Sequence, residues 1–292
     1  MTTNNTGAPT PTALDSSVPP LITAAALQQM LAEDPSRLVV LCASMGNPAR
    51  ALQEGIPGAL LADIEAEFSE ADAEFPHTVP ADVQAPFAAC GISDDSVVVV
   101  YDRHGVVVSP RVWWLAQAAG LRTVFVLDGG LPAWVAAGGA TAPIATPQDA
   151  GVAGGEISAQ PRPELFTDIR GVERALARSA SAVVDARSAG RFAGVAPEPR
   201  PHMRAGHIPG SVNVPFETLF AEDGTFLPAV QLRQIFAAQV GDATQLVFSC
   251  GSGVTACVTA LGARLAGWED LVVYDGSWSQ WGSADSQQPI AT

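Results

Sequence analysis

The stretch Leu246-Val247-Phe248-Ser249-Cys250-Gly251-Ser252-Gly253-Val254-Thr255 carries an apolar run directly into a loop of small residues. The apolar run is typical of a buried strand, and residues 256–261 are compatible with a helix. Cys250 therefore stands where a strand turns into a helix. Glycines let such a loop curl around the sulfur, so that successive N–H groups point inward and stabilise an anion. A buried structural cysteine is the alternative, but packing does not explain two glycines and two hydroxyls beside it.

The composition limits the classes of protein to which the chain could belong. Its 292 residues suggest about two domains of roughly 150 residues each. The net charge is −15, with 15 arginines and no lysine, which argues against nucleic acid and anionic membranes as partners. The lack of lysine excludes Schiff-base chemistry. Each arginine becomes a stronger clue, since guanidinium groups suit fixed recognition of carboxylates.

The cysteine pattern indicates free thiols in a reducing compartment. None of the four cysteines forms a CxxC pair, so zinc-ribbon and thioredoxin-type motifs are absent. Cys250 and Cys257 would lie two turns apart on one helix, too far for a disulfide, and Cys257 is interpreted as a core residue. No motif has metal-ligand or phosphate-binding spacing, so we expect no metal and no cofactor.

The N-terminus and the hydropathy pattern predict a cytoplasmic protein. Residues 1–20 lack the basic and apolar regions of a signal peptide. No window of 18 uninterrupted apolar residues predicts a transmembrane helix.

The chain repeats itself at an interval of about 150 residues. The strand-like residues 97–102 correspond to residues 245–250 at an offset of 148. Two further matches follow the same order: Val126-Leu127-Asp128-Gly129-Gly130 with Val273-Tyr274-Asp275-Gly276-Ser277, and Ile56-Pro57-Gly58-Ala59 with Ile208-Pro209-Gly210-Ser211. The three matches indicate a duplicated domain. Asp102 stands where the second half has Cys250, and a carboxylate cannot carry sulfane sulfur, so we expect a single active site.

Each half alternates strands with helices, which predicts an α/β fold with a mainly parallel sheet. Strands are predicted at 38–41 and 183–185, and helices at 112–119 and 254–266 with glycine stops. We expect an N-terminal domain at 19–139 and a C-terminal domain at 165–284. An Ala-, Gly- and Pro-rich linker at 140–164 joins them, with a disordered tail at 1–18 and a short tail at 285–292. Ligands of such sheets lie beyond the carboxyl ends of the strands, where both Asp102 and Cys250 fall.

With these motifs the sequence resembles the tandem rhodanese family of sulfurtransferases, from about Leu21 to Gly282. The resemblance implies two rhodanese folds, of which the N-terminal one is inactive. The loop Gly251-Ser252-Gly253 is similar to the 3-mercaptopyruvate sulfurtransferase branch, since the thiosulfate branch usually carries basic residues right after the cysteine. The remaining matching motifs are Val183-Val184-Asp185-Ala186-Arg187, Gly190-Arg191-Phe192, Glu198-Pro199-Arg200, Gly206-His207-Ile208-Pro209-Gly210 and Tyr274-Asp275-Gly276-Ser277-Trp278.

The resemblance also implies a reaction. The Cys250 thiolate would attack the sulfur of 3-mercaptopyruvate, release pyruvate and become a persulfide. The persulfide would pass its outer sulfur to a thiol or to cyanide, with thioredoxin as one candidate acceptor. Covalent catalysis in two steps of this kind gives ping-pong kinetics.

Individual roles follow from the resemblance. Arg191 and Arg200 would bind the substrate carboxylate and ketone, beside the loop residues Gly251, Gly253, Val254 and Thr255. Ser252 would polarise the substrate or relay a proton, paired with His77 and with Glu65 or Asp63 as the acid. The family usually has Asp at the position of Glu65, and the spacing to His77 is one residue longer here. Structural roles are expected for the Arg187–Asp185 pair, His207, Trp278 and Trp281.

Three other functions are alternatives to this reaction. Thiosulfate:cyanide sulfurtransferase belongs to the same enzyme class and differs in its donor. A cysteine phosphatase needs an arginine six positions after the cysteine, where this chain has Ala256. A non-catalytic sulfur-sensing or binding module is consistent with the fold, since Asp102 indicates that the fold persists without its cysteine.

Overall fold

The computed structural model describes residues 18–292, which form two α/β domains. The expected tail at 1–18 lies outside the described residues apart from Val18. The N-terminal domain contains, in chain order, β1 (Leu21–Ile22), α1 (Ala24–Glu33), β2 (Leu38–Ser44), α2 (Ala49–Gln53), β3 (Leu60–Asp63), α3 (Ala85–Ala89), β4 (Val97–Tyr101), α4 (Ser109–Ala118), β5 (Val124–Leu127) and α5 (Gly130–Ala136).

The C-terminal domain repeats this order of elements. It contains β6 (Phe166–Thr167), α6 (Ile169–Leu176), β7 (Ser181–Asp185), α7 (Ala189–Phe192), β8 (Val212–Asn213), α8 (Ala229–Val240), β9 (Gln245–Ser249), α9 (Thr255–Leu265), β10 (Asp270–Tyr274) and α10 (Ser277–Trp281). Short 3-10 helices lie at Pro35–Arg37, Pro163–Leu165 and Phe216–Leu219.

The two sheets have the same topology. Their strand orders are β1-β5-β4-β2-β3 and β6-β10-β9-β7-β8, and every pairing within them is parallel. The predicted parallel α/β fold and the duplication are therefore confirmed. The central strands β4 and β9 end at Tyr101 and Ser249, so Asp102 and Cys250 follow equivalent strands at equivalent edges.

Two glycines end the helices that follow these central strands. Gly120 has φ +85° and Gly267 has φ +96°, a region that favours glycine because it has no Cβ. The helices themselves run from Ser109 to Ala118 and from Thr255 to Leu265, close to the predicted bounds.

The two domains share a hydrophobic core in which α4 packs against α9. All ten residues of α4 are buried, and eight of the eleven in α9 are buried as well. The Trp114 indole donates a hydrogen bond to the Leu165 carbonyl across the boundary (3.1 Å). Because α9 begins directly after the Cys250 loop, this packing places the loop against the N-terminal domain.

The segment 140–164 runs extended over the N-terminal domain. The Gly55 N–H donates to the Ala142 carbonyl (2.9 Å), and the Leu61 N–H donates to the Ala145 carbonyl (2.9 Å). Further along, the Gly155 N–H donates to the Ala88 carbonyl (2.8 Å). The segment is thus attached to a domain surface along much of its length. Within residues 18–292, no helix has the length and apolarity needed to cross a bilayer.

The glycine at the end of α4 gives a stability test. A Cβ at Gly120 would lie 2.6 Å from the Gln160 carbonyl oxygen, whereas Gly46 has a similar φ of +86° with no atom within 4 Å of an added Cβ. We expect Gly46→Ala to lower the free energy of unfolding by only about 1 kcal/mol, the cost of the left-handed backbone conformation for alanine. Gly120→Ala should lose about 1–3 kcal/mol more through the clash. Chemical denaturation of both variants checks this, and equal losses would contradict the packing described.

Candidate active site

The backbone carbonyls around Cys250 are tied down by neighbouring helices. The Cys250 carbonyl accepts the Trp278 N–H (3.0 Å), and the Gly251 carbonyl accepts both the N–H and the hydroxyl of Ser279 (2.9 Å each). The Val254 carbonyl accepts the Cys257 N–H (3.0 Å). These bonds direct the oxygens of the loop towards α9 and α10 rather than into the turn.

The loop amides have no such partners. Across the described part of the chain, the N–H groups of residues 251–255 donate to no oxygen or nitrogen acceptor. Gly253 has φ +77°, which only glycine adopts readily and which gives the loop its sharp turn. The Cys250 N–H itself donates to the Ser277 hydroxyl (3.2 Å). A buried turn with several free N–H groups is suited to stabilising an anion.

The equivalent turn of the N-terminal domain is occupied by its own side chain. One carboxylate oxygen of Asp102, Oδ2, accepts the N–H groups of Val107 (2.9 Å), Val108 (2.8 Å) and Ser109 (2.9 Å). The same strand-to-helix turn therefore binds an oxygen with three amides. In the C-terminal domain the residue at this position is Cys250, 2% exposed, and a sulfur replaces the carboxylate.

Arg191 and Arg200 converge beside the cysteine. A Cβ added to Gly251 would lie 3.2 Å from Arg191 Nη2 and 3.7 Å from Arg200 Nη1. A side chain at position 251 would crowd Arg191 and contact Arg200, and glycine leaves both guanidinium groups unobstructed. Two guanidinium groups at one point form a site suited to a carboxylate.

Glu198 connects Arg191 to a buried ion-pair network, of which the sequence indicated only the Arg187–Asp185 pair. Its carboxylate contacts Arg191 Nη2 (2.6 Å) and Arg187 Nη1 (2.8 Å). Arg187 is in turn paired with Asp185 (2.7 Å), and its guanidinium lies 4.2 Å from the Trp278 ring centroid. The motif Glu198-Pro199-Arg200 carried the signal, since an acidic residue between two functional arginines is the natural counterion of either.

His77 reaches Ser252 across the domain boundary. Its Nδ1 lies 2.9 Å from Ser252 Oγ, and its Nε2 lies 3.3 Å from Glu65 Oε1. In the tautomer with the proton on Nε2, which suits the acceptor-only Glu65, Nδ1 accepts from the Ser252 hydroxyl. Burial lowers the pKa of His77, although the neighbouring Glu65 acts in the opposite direction. Asp63 has a different place, since its Oδ1 accepts the Glu65 N–H (2.9 Å).

The other residues singled out in the sequence have packing roles. His207 does not contact the residues around Cys250. Its Nδ1 lies 2.9 Å from the Phe192 carbonyl oxygen, and its ring stacks on Phe192 with centroids 3.8 Å apart. The Trp281 indole donates to the Pro289 carbonyl (2.8 Å). All four cysteines are free and buried.

The sequence model of the rhodanese-like domain matches residues 23–137 and 170–284. The chain belongs to the rhodanese family. It is 38% identical over 231 residues to the 3-mercaptopyruvate sulfurtransferase of Homo sapiens, covering 77% of this chain and 76% of that protein. It is also 38% identical over 239 residues to the thiosulfate sulfurtransferase of Bos taurus, covering 79% and 78% of the two chains.

A solved structure agrees with the fold. SseA from Escherichia coli, described as a 3-mercaptopyruvate sulfotransferase with the rhodanese fold, matches with a TM-score of 0.75 and 30% identity. The match covers 89% of this chain and 99% of SseA. The protein is thus a rhodanese-family sulfurtransferase with two rhodanese domains.

The thiols can be distinguished chemically. Burial raises the pKa of Cys42 to about 11 and the pKa values of Cys90 and Cys257 to about 12. These three thiols stay protonated at pH 8, and thiols react with iodoacetamide as thiolates. We expect one adduct per folded chain, on Cys250, by peptide mass spectrometry. Labelling of Cys257 at a comparable rate would argue against the assignment.

The lowered pKa of His77 predicts a pH dependence of stability. At a pH below about 6.5 the unfolded chain takes up a proton on His77 before the folded chain does. The contribution of His77 to the free energy of unfolding is therefore present above that pH and is lost as the pH falls. We expect wild type to lose more stability than His77→Gln between pH 7.5 and 5 in urea titrations. Parallel curves for the two proteins would contradict this expectation.

Proposed function

We propose that the protein transfers sulfur from 3-mercaptopyruvate to a thiol or to cyanide through a persulfide on Cys250. The observation that carries the proposal is the meeting of three features at one loop. These are the free amides of residues 251–255, the Arg191 and Arg200 guanidinium groups, and Ser252 hydrogen-bonded to His77.

In the first half-reaction the Cys250 thiolate attacks the substrate sulfur. A sulfur–sulfur bond forms, the carbon–sulfur bond of mercaptopyruvate breaks, and its electron pair passes to the enolate of pyruvate. The proton from the substrate thiol ends on the enolate carbon, so the proton count balances. Ser252, backed by neutral His77 and by Glu65, is placed to move that proton. Arg191 and Arg200 hold the carboxylate, and the loop amides stabilise the persulfide anion.

In the second half-reaction an acceptor thiol attacks the outer sulfur of the Cys250 persulfide. The sulfur–sulfur bond to Cys250 breaks, and its electron pair returns to Cys250 as thiolate. The acceptor leaves as a persulfide, or as thiocyanate when cyanide is the acceptor. A small protein such as thioredoxin is a candidate acceptor, because attack requires only a nucleophilic thiol.

Thiosulfate is the second candidate donor, and the relationship to the bovine thiosulfate sulfurtransferase favours it. Thiosulfate is a dianion and gains from cations directly beside the reacting sulfur. In this chain Gly251 and Ser252 follow the cysteine, and the second of these is a hydroxyl bonded to His77. Mercaptopyruvate releases the enolate of pyruvate, which must be protonated, so a proton relay assists that reaction. Thiosulfate releases sulfite, whose departure needs no such relay. Mercaptopyruvate is therefore the better fit.

Mass spectrometry tests the chemistry. After incubation with mercaptopyruvate alone, the peptide containing Cys250 should gain one sulfur atom, with one pyruvate released per chain. Cys250→Ser should abolish both, while Cys90→Ser, a matched change at a buried core cysteine of the N-terminal domain, should retain both. Full turnover by Cys250→Ser would end the proposal.

Donor preference is a separate measurement. We expect kcat/KM for mercaptopyruvate to exceed that for thiosulfate by at least about 10-fold with cyanide as the common acceptor. Ser252→Ala should lower turnover on mercaptopyruvate much more than turnover on thiosulfate. A preference for thiosulfate in wild type would select the second candidate.

A further inference from the structure

We propose that Arg111, which belongs to the domain without the cysteine, is a positioning residue that holds His77 against Ser252. The inference rests on the proposed function, in which His77 and Ser252 move a proton. Arg111 is the third residue of α4, is fully buried and reaches the C-terminal domain with its guanidinium group.

The guanidinium group of Arg111 contacts three segments of chain at once. Its Nη2 donates to the His77 carbonyl (2.5 Å) and pairs with Asp275 Oδ1 (3.0 Å). Its Nη1 donates to the Gly253 carbonyl (3.4 Å). The planar fork of arginine is suited to such simultaneous contacts, because its donors have fixed directions. Arg111 therefore ties the His77 segment directly to the Cys250 loop.

The backbone of His77 needs such an anchor. Its φ is +61°, a left-handed conformation that costs a non-glycine residue free energy and persists only where neighbouring groups enforce it. Arg111 holds the carbonyl of His77, and the Val79 N–H donates to Asp275 Oδ2 (2.8 Å). The Arg111–Asp275 pair thus fixes the chain at His77 and again two residues later, and the direction of the imidazole follows from both contacts.

The contact between Arg111 and Gly253 restrains Ser252, the second residue of the proposed proton relay. Gly253 follows Ser252 directly, and its carbonyl accepts hydrogen bonds from Arg111 and from the Cys257 thiol (3.3 Å). A Cβ at Gly253 would lie 3.1 Å from the Asp275 carbonyl oxygen and 3.3 Å from Arg111 Nη1. Arg111 therefore binds the carbonyl of His77 and the carbonyl of Gly253, the residue that follows Ser252.

Arg111 keeps its positive charge in this buried position. Burial works against the charged form, but the neighbouring Asp275 and Cys257 together outweigh it and raise the pKa of Arg111. The guanidinium group thus acts as a permanent cation with fixed geometry, and a change of pH does not release His77 through it.

Arg111→Lys is the informative variant, since it keeps the charge beside Asp275 and removes the fork. We expect kcat for pyruvate release from mercaptopyruvate to fall by about 10- to 100-fold, as for a catalytic group displaced by about 1 Å. KM should stay within about 2-fold, because Arg191 and Arg200 are untouched. The matched control is Arg204→Lys, at a partly buried arginine that binds the carbonyls of Trp281 (2.7 Å) and Gln288 (3.0 Å). Its kcat should stay within about 2-fold of wild type.

A double-mutant cycle separates positioning from general support of the fold. If Arg111 acts through His77, Arg111→Lys lowers kcat by less than about 3-fold in the His77→Gln background. A full additional loss in that background would overturn the inference, as would an unchanged kcat for Arg111→Lys in the otherwise wild-type protein. If Arg111→Lys does not fold, Asp275→Asn replaces it with the same expected loss and the same cycle. Failure of wild type to release pyruvate would instead refute the proposed function.

Discussion

The structure depends on a tight turn that joins a central parallel strand to the helix behind it. Around Cys250 the carbonyls of the turn bond to neighbouring helices, while the amides of residues 251–255 have no oxygen or nitrogen acceptor among the described residues. In the N-terminal domain that side chain is the carboxylate of Asp102, and three amides bind one of its oxygens. In the C-terminal domain it is Cys250. Equivalent positions in the two sheets therefore hold a hydrogen-bonded carboxylate in one half and a cysteine thiol in the other.

The domain that has Asp102 in place of the cysteine supplies groups to the candidate site. Glu65, His77 and Arg111 come from it, and each contacts a residue beyond the domain boundary or a partner of one. The burial of α4 against α9 holds the two domains in the relation that these contacts require. The candidate site therefore forms only where the two domains pack together. That packing is apolar, and its residues have no part in the proposed chemistry.

The sequence predicted what is local in the chain. The repeat, the parallel α/β fold, the helix stops at Gly120 and Gly267 and the approach of Arg191 and Arg200 to the cysteine loop all follow from short patterns. Contacts between residues far apart in the sequence were harder to predict. Sequence left both Glu65 and Asp63 as candidates for the acid, and the geometry places Glu65 beside His77. Arg111 was missed altogether, since nothing in its helix reveals that it crosses to the other domain.

The turn around Asp102 runs from residue 102 to residue 108, whereas the turn around Cys250 runs from residue 250 to residue 254. The two copies have therefore diverged in backbone length as well as in side chain. A cysteine substituted at position 102 would lie on a turn two residues longer than the one around Cys250. The single exchange Asp102→Cys would therefore not rebuild the loop of residues 250–254, because the backbone of the N-terminal turn differs as well as its side chain.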